Sequence, residues 1–156
     1  MSSHPLEKSA HPPTHEVIAM GSFRDLPRRR RVLYVEDDET TIALLRKHLS
    51  HTPFSIEYAQ TGKEAIRMYC AAIEDGRPFD VIVLDVMLPD TSGLSVAERV
   101  REDHKDEQTA IIFCTNVVDN SKVDASAERV SARGVVNKAE ELSKIGSYIE
   151  KALGAA

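Results

Sequence analysis

From Val32 onward, short apolar runs alternate with longer stretches in which apolar residues recur every three or four positions. The runs are VLYV at 32–35, SIEYA at Ser55–Ala59, VIVL at Val81–Leu84, AIIFC at 110–114 and GVVN at Gly134–Asn137. Their starts lie 23, 26, 29 and 24 residues apart, close to the repeat of a βαβ unit. Three of them are continuously apolar and rich in Val and Ile, as parallel strands covered on both faces are.

Helical spacing fills the gaps. Ile42, Leu45 and Leu49 follow a start signal at Thr40 and Thr41, with Pro53 beyond. Ala65, Met68, Tyr69, Ala72 and Ile73 form a second stripe, ended near Gly76 and Pro78. Leu94, Ala97, Val100 and Arg101 suggest a third, begun near Ser92. Val123, Ala127 and Val130 give a weaker fourth, stopped at Gly134. Leu142, Ile145, Ile149 and Ala152 give a fifth, stopped at Gly154. The order (βα)₅ predicts one three-layer, doubly wound α/β domain with a five-stranded parallel sheet over residues 31–156.

The chain ahead of this pattern differs. Its first 31 residues hold four of the seven prolines and no sustained apolar period, so residues 1–30 read as a flexible tail. Arg28, Arg29, Arg30 and Arg31 read as a solvated lead-in to the first strand, the rival being a patch for nucleic acid or an acidic partner. No apolar run approaches the ~20 residues of a membrane span, and MSSHPLEKSAHPP lacks the apolar core of a secretory signal. Cys70 and Cys114 are too few for a disulfide framework and read as small buried apolar residues. A cytoplasmic protein is expected.

Charge narrows the function. The net charge of −5 divides into +3 over residues 1–31 and −8 over residues 32–156. A domain that acidic is a poor nucleic-acid binder; it suits a cation or a basic partner.

In a parallel α/β sheet, ligands bind beyond the carboxyl ends of the strands. Strand one is followed by Glu36, Asp37, Asp38 and Glu39, strand three by Asp85, strand four by Thr115 and strand five by Lys138. Glu36, Asp37 and Asp85 concentrate about three negative charges, and two carboxylates ~4 Å apart repel by about 4 kcal/mol at an effective dielectric of ~20. Such crowding calls for a cation. All-oxygen ligands suit Mg²⁺, and Lys138 supplies a further positive charge. Asp38 and Glu39 read as helix N-terminal charges, not ligands. The six histidines, His4, His11, His15, His48, His51 and His104, show no metal-ligand spacing and receive no role.

The segments VLYVEDDE (32–39), FDVIVLDVMLPDTSG (79–93), IIFCT (111–115) and GVVNK (134–138) resemble the receiver domain of two-component response regulators. The most specific element is Asp85, Pro89 and Gly93 at four-residue intervals after a strand. The resemblance implies a flavodoxin-like strand order of 2-1-3-4-5. It also implies that Asp85 is the phosphoacceptor and that Glu36, Asp37, Asp85 and the Met87 backbone carbonyl serve Mg²⁺. Thr115 and Lys138 would each meet a phosphoryl oxygen. The implied donor is a sensor histidine kinase or a histidine phosphotransfer protein. The chain is expected to be a single-domain response regulator, not a dedicated enzyme, that signals by binding a target protein when phosphorylated. A relay intermediate, passing the group to a histidine phosphotransfer protein, is the alternative. Nucleic acid and membrane are not expected partners, and a monomer or weak homodimer is.

Three positions depart from the family pattern. Val135 stands where many receivers have Tyr or Phe as a rotamer switch, Ala139 replaces the proline that usually follows the lysine, and Asn116 replaces a small residue. The chemistry should survive these changes; the route to an output surface is the part they affect. Two rivals fail on sequence. A haloacid-dehalogenase-type phosphatase needs a second Asp at position 87, which is Met, and the acidic run after strand one would repel a dinucleotide pyrophosphate.

Overall fold

The structure, a computed structural model, describes residues 27–116 and 121–154. Five strands, β1 (Arg31–Val35), β2 (Ser55–Ala59), β3 (Val81–Leu84), β4 (Ala110–Thr115) and β5 (Gly134–Asn137), form one parallel sheet in the order β2-β1-β3-β4-β5. Both the fold class and this strand order agree with expectation. Between the strands run α1 (Glu39–His48), α2 (Gly62–Glu74), α3 (Gly93–Glu102) and α4 (Ser121–Arg129).

The strand period of two divides the core. Leu33, Val35, Ile82, Leu84, Ile111 and Phe113 point to one face, under α2, α3 and α4. Val32, Tyr34, Val81, Val83, Ile112, Cys114 and Val136 point to the other, under Leu45 and Leu49 of the first helical segment and Ile145, Ile149 and Ala152 of the last. Cys114 is fully buried, and burial pushes its thiol up to about 11. Cys70 is only half-buried, with its Sγ 3.7 Å from His104 Nε2, and the His104 ring stands edge-on to Tyr69. The expectation of a buried apolar residue therefore holds for Cys114 but not for Cys70.

Local chemistry sets the helix ends. Asp38 caps α1 by accepting from the Thr41 amide and hydroxyl, at 2.8 and 2.6 Å. Those bonds hold its carboxyl below the usual range. Asp38 and Glu39 thus serve the helix terminus, as expected. The stripe expected to stop at Gly134 ends earlier. Ser131 takes a left-handed φ of 52°, and Ala132 N–H donates to the Ala127 carbonyl at 2.7 Å. The fifth stripe is not one helix either: a four-residue turn, α5 (Lys138–Glu141), leads through a 3₁₀ turn into α6 (Ile145–Ala152).

Arg28, Arg29 and Arg30 of the lead-in are exposed and also make surface contacts with the domain. Arg28 and Arg30 reach Asp80 at 2.7 and 3.4 Å, Arg29 donates to the Pro53 carbonyl, and Arg31 pairs with Glu57 at 2.5 Å. The Arg31 guanidinium also lies 4.5 Å from the Phe79 ring centroid. Residues 28–30 thus touch the domain through their side chains while staying exposed; residues 1–26 of the expected tail lie outside the described residues. No helix among the described residues is long and apolar enough to cross a membrane.

Candidate functional site

Parallel register brings the acids together. Val35 pairs with Leu84, and the pairing continues one step further: Asp85 N–H donates to the Val35 carbonyl at 3.0 Å and Glu36 N–H to the Ala59 carbonyl at 2.9 Å. The turn after β1 and the turn after β3 therefore emerge side by side, where the strand order reverses. Carboxylate oxygens of Glu36, Asp37 and Asp85 lie within 4.8 Å of one another.

Burial differs sharply within this set. Glu36 is 1% exposed and Asp85 6%, whereas Asp37 is exposed. Glu36 Oε1 accepts from Asp38 N–H at 3.2 Å, and Asp85 Oδ1 from Met87 N–H at 3.2 Å. Lys138, the residue directly after β5, reaches over to close the cluster, its Nζ 2.7 Å from Asp85 Oδ2 and 2.6 Å from Glu36 Oε2. Burial raises the Glu36 pKa despite the lysine beside it. Burial works against the Lys138 charge, but the two carboxylates hold its pKa above the ordinary value.

Charge then decides what the site can hold. Three carboxylates and one ammonium leave about two negative charges in a half-buried rim, and all the donors are oxygens. That set fits a hard divalent cation that keeps some of its waters, and Asp37 gives it an open side. Asp85, Met87, Thr115, Asn116 and Lys138 line an open cleft of about 210 Å³ beside it. All the side chains expected at the site, namely Glu36, Asp37, Asp85, Thr115 and Lys138, lie at this one end of the sheet. Thr115, the last residue of β4, is buried, and Met87 is 72% exposed at the rim.

The loop after β3 is rigidly built. Gly93 N–H donates to the Val86 carbonyl at 2.8 Å, and a Cβ at Gly93 would overlap the Asp85 carbonyl oxygen. Ser92 caps α3. Asp90 reaches across to the start of α2, accepting from Gly62 and Lys63 N–H at 2.8 and 2.9 Å, bonds that hold its carboxyl below the usual range. Sequence reasoning missed Asp90, because nothing near it in the chain marks its partner 27 residues away. Val135 packs against the core under α2, α3 and α4, with no ring to swing. Part of the loop after Thr115, including Val117, lies outside the described residues.

A family model described as the response regulator receiver domain matches residues 32–150. Response regulator MprA of Mycolicibacterium vanbaalenii is 35% identical over 100 residues, which cover 63% of this chain and 41% of that protein. Transcriptional regulatory protein TrcR of Mycobacterium tuberculosis is 39% identical over 85 residues, covering 54% of this chain and 30% of that protein. The chain thus spans less than half the length of these curated relatives. Among solved structures, the non-phosphorylated HemR receiver domain of Leptospira biflexa superposes with a TM-score of 0.68 at 28% identity, covering 82% of this chain and 97% of that one. With the acid pair after β1, the Asp after β3 and the lysine after β5 gathered on one rim of a 2-1-3-4-5 sheet, the chain belongs to the response regulator receiver domains.

Proposed function

We propose that this receiver accepts a phosphoryl group on Asp85 from a phosphohistidine and signals through a protein that recognises the phosphorylated form. The observation that carries this reading is the Lys138 ammonium held between Asp85 and Glu36, with Asp37 beside them. In the reaction, an Asp85 carboxylate oxygen attacks phosphorus, the phosphorus–nitrogen bond of the donor breaks, and histidine leaves with the bonding pair. The product is an acyl phosphate. Asp85 is oriented by Met87 N–H and Lys138, and Lys138 remains to pair with a phosphoryl oxygen; Thr115 lines the same cleft and offers a hydroxyl to another. Glu36, Asp37, Asp85 and the Met87 carbonyl would hold Mg²⁺, which supplies positive charge to the transferring group. The chain's contribution is positioning and charge neutralisation. It assists its own phosphorylation and is not a dedicated enzyme.

The donor class is a sensor histidine kinase or a histidine phosphotransfer protein. We place the chain among cytoplasmic regulators acting by protein binding; onward transfer to a histidine phosphotransfer protein is the alternative. TrcR is named as a transcriptional regulator, but the −8 charge of residues 32–156 disfavours nucleic acid as a partner of this domain itself. Incubation with acetyl phosphate and Mg²⁺ should give a base-labile label at one equivalent, absent from Asp85→Ala. Stoichiometric labelling of Asp85→Ala would overturn the reading. A pull-down comparing beryllofluoride-loaded protein with Asp85→Asn would then identify the output partner.

A further inference from the structure

Lys138 is the first residue of α5, a turn of four residues. None of its residues is fully buried, and Ala139 and Glu140 are exposed. A helix that short does not persist on intrinsic propensity. Its geometry comes from Asn137, the last residue of β5, whose Oδ1 accepts from Ala139 N–H at 3.0 Å and Glu140 N–H at 3.3 Å. Asn137 N–H in turn points to Glu141 Oε2 at 3.5 Å, and Glu141 Oε1 accepts from the Tyr148 hydroxyl at 2.9 Å. The first of these bonds needs an amide hydrogen at position 139. Proline, common at that position in the family, has none; alanine provides one.

We propose that Asn137 is the positioning residue for Lys138, fixing the backbone from which the ammonium reaches Asp85 and Glu36. The strand side of Asn137 is fixed by its register with Thr115, and its helix side by its own cap, so it sits between the two groups that meet the phosphoryl oxygens. This rests on the phosphoacceptor reading of Asp85 for its consequence but not for its geometry.

The test uses Asn137→Ala, which deletes the cap, and Asn137→Ser, which keeps a capping oxygen. Two readouts are taken: the rate of labelling by acetyl phosphate with Mg²⁺, and the Lys138 side-chain Nζ–H NMR signal, which is visible when a lasting ion pair slows its exchange. Asn137→Ala should label about five- to tenfold more slowly and lose the Nζ–H signal, the size expected of a lost cap. Asn137→Ser should restore both to within about twofold, by the same capping ranking. Melting temperature should fall in Asn137→Ala and recover in Asn137→Ser, since the lost cap and the loosened Glu36 pair both cost stability, so the Nζ–H signal is the readout that separates positioning of Lys138 from a merely structural role. Wild-type labelling and an intact Nζ–H signal in Asn137→Ala would overturn the proposal, as would an Asn137→Ser variant no better than Asn137→Ala. If wild type takes no label but the Nζ–H signal follows the cap, the positioning role stands and the phosphoacceptor reading fails.

Discussion

Gly93 packs its Cα against the carbonyl of Asp85, eight residues earlier in the chain, with no room for a Cβ between them. The atom it would displace is backbone, in the very residue that carries the candidate phosphoacceptor. Gly93→Ala should therefore destabilise the domain by about 3 kcal/mol, the upper end of overpacking costs. Urea denaturation checks this; a loss below about 1 kcal/mol would mean that the β3–α3 loop yields easily.

Lys138 is the sole cation bonded to the Glu36 carboxylate among the described residues. Lys138→Met leaves that buried acid unpaired, and should cost about 3 kcal/mol near neutral pH. The sign of the pH dependence follows from Glu36. Its pKa is already raised in the folded state, so the cost of ionising it builds as the pH rises above the ordinary carboxylate value, and protonation relieves that cost. The variant should therefore regain stability relative to wild type as pH falls from 7 toward 5. A deficit that is flat across that range would point away from Glu36.

Asp37 is exposed and stands within the three-carboxylate cluster. Asp37→Ala removes one anionic ligand and some like-charge crowding. Mg²⁺ affinity and labelling should fall together, while the metal-free fold is as stable as wild type or slightly more so. Calorimetry with Mg²⁺ alone reads the first effect separately from labelling; unchanged affinity would exclude Asp37 as a ligand.

Hydrolysis of an aspartyl phosphate needs water in line with the bond to Asp85. Met87, 72% exposed, lines the same cleft, and a thioether does not orient water by strong hydrogen bonds. A long-lived phosphoform is expected, and Met87→Asn should lose phosphate several times faster. Equal lifetimes in the two proteins would show that this position does not govern water access. Val117, the second position expected to matter, lies outside the described residues.

Away from the site, Asp106 ties α2 to the entry of β4. It accepts from Tyr69 Oη at 2.7 Å, Thr109 Oγ1 at 2.6 Å, Thr109 N–H at 2.9 Å and Gln108 N–H at 2.8 Å. Burial acts to raise its pKa, but these donors prevail and hold it below the usual value. Its contribution is therefore present above the ordinary carboxylate range and lost as pH falls through the depressed folded value. Asp106→Ala should cost about 2–3 kcal/mol at pH 7 and less against wild type in acid. A thermal melt series from pH 7 to 3 tests both parts.

Much of this molecule is written locally. The alternation of apolar runs and helical stripes needs only neighbouring residues, which is why the strands are readable to within a residue. The acids, threonine and lysine at the strand ends were legible for the same reason: a parallel sheet exposes its carboxyl ends together whatever the strand order. The order 2-1-3-4-5 followed from the resemblance of whole segments and not from any period. Only the tertiary structure decided which distant groups meet. Asp80 gathers the arginines, Asp90 anchors α2, Asp106 holds Tyr69, and Lys138 chooses Asp85 and Glu36 from a rim of five acids. Those choices depend on strand order, register and the direction of each side chain, and such long-range geometry leaves no periodic trace in the chain. The ends of α4 and α5 turned on left-handed Ser131 and capping Asn137, where one polar residue outweighs the stripe around it.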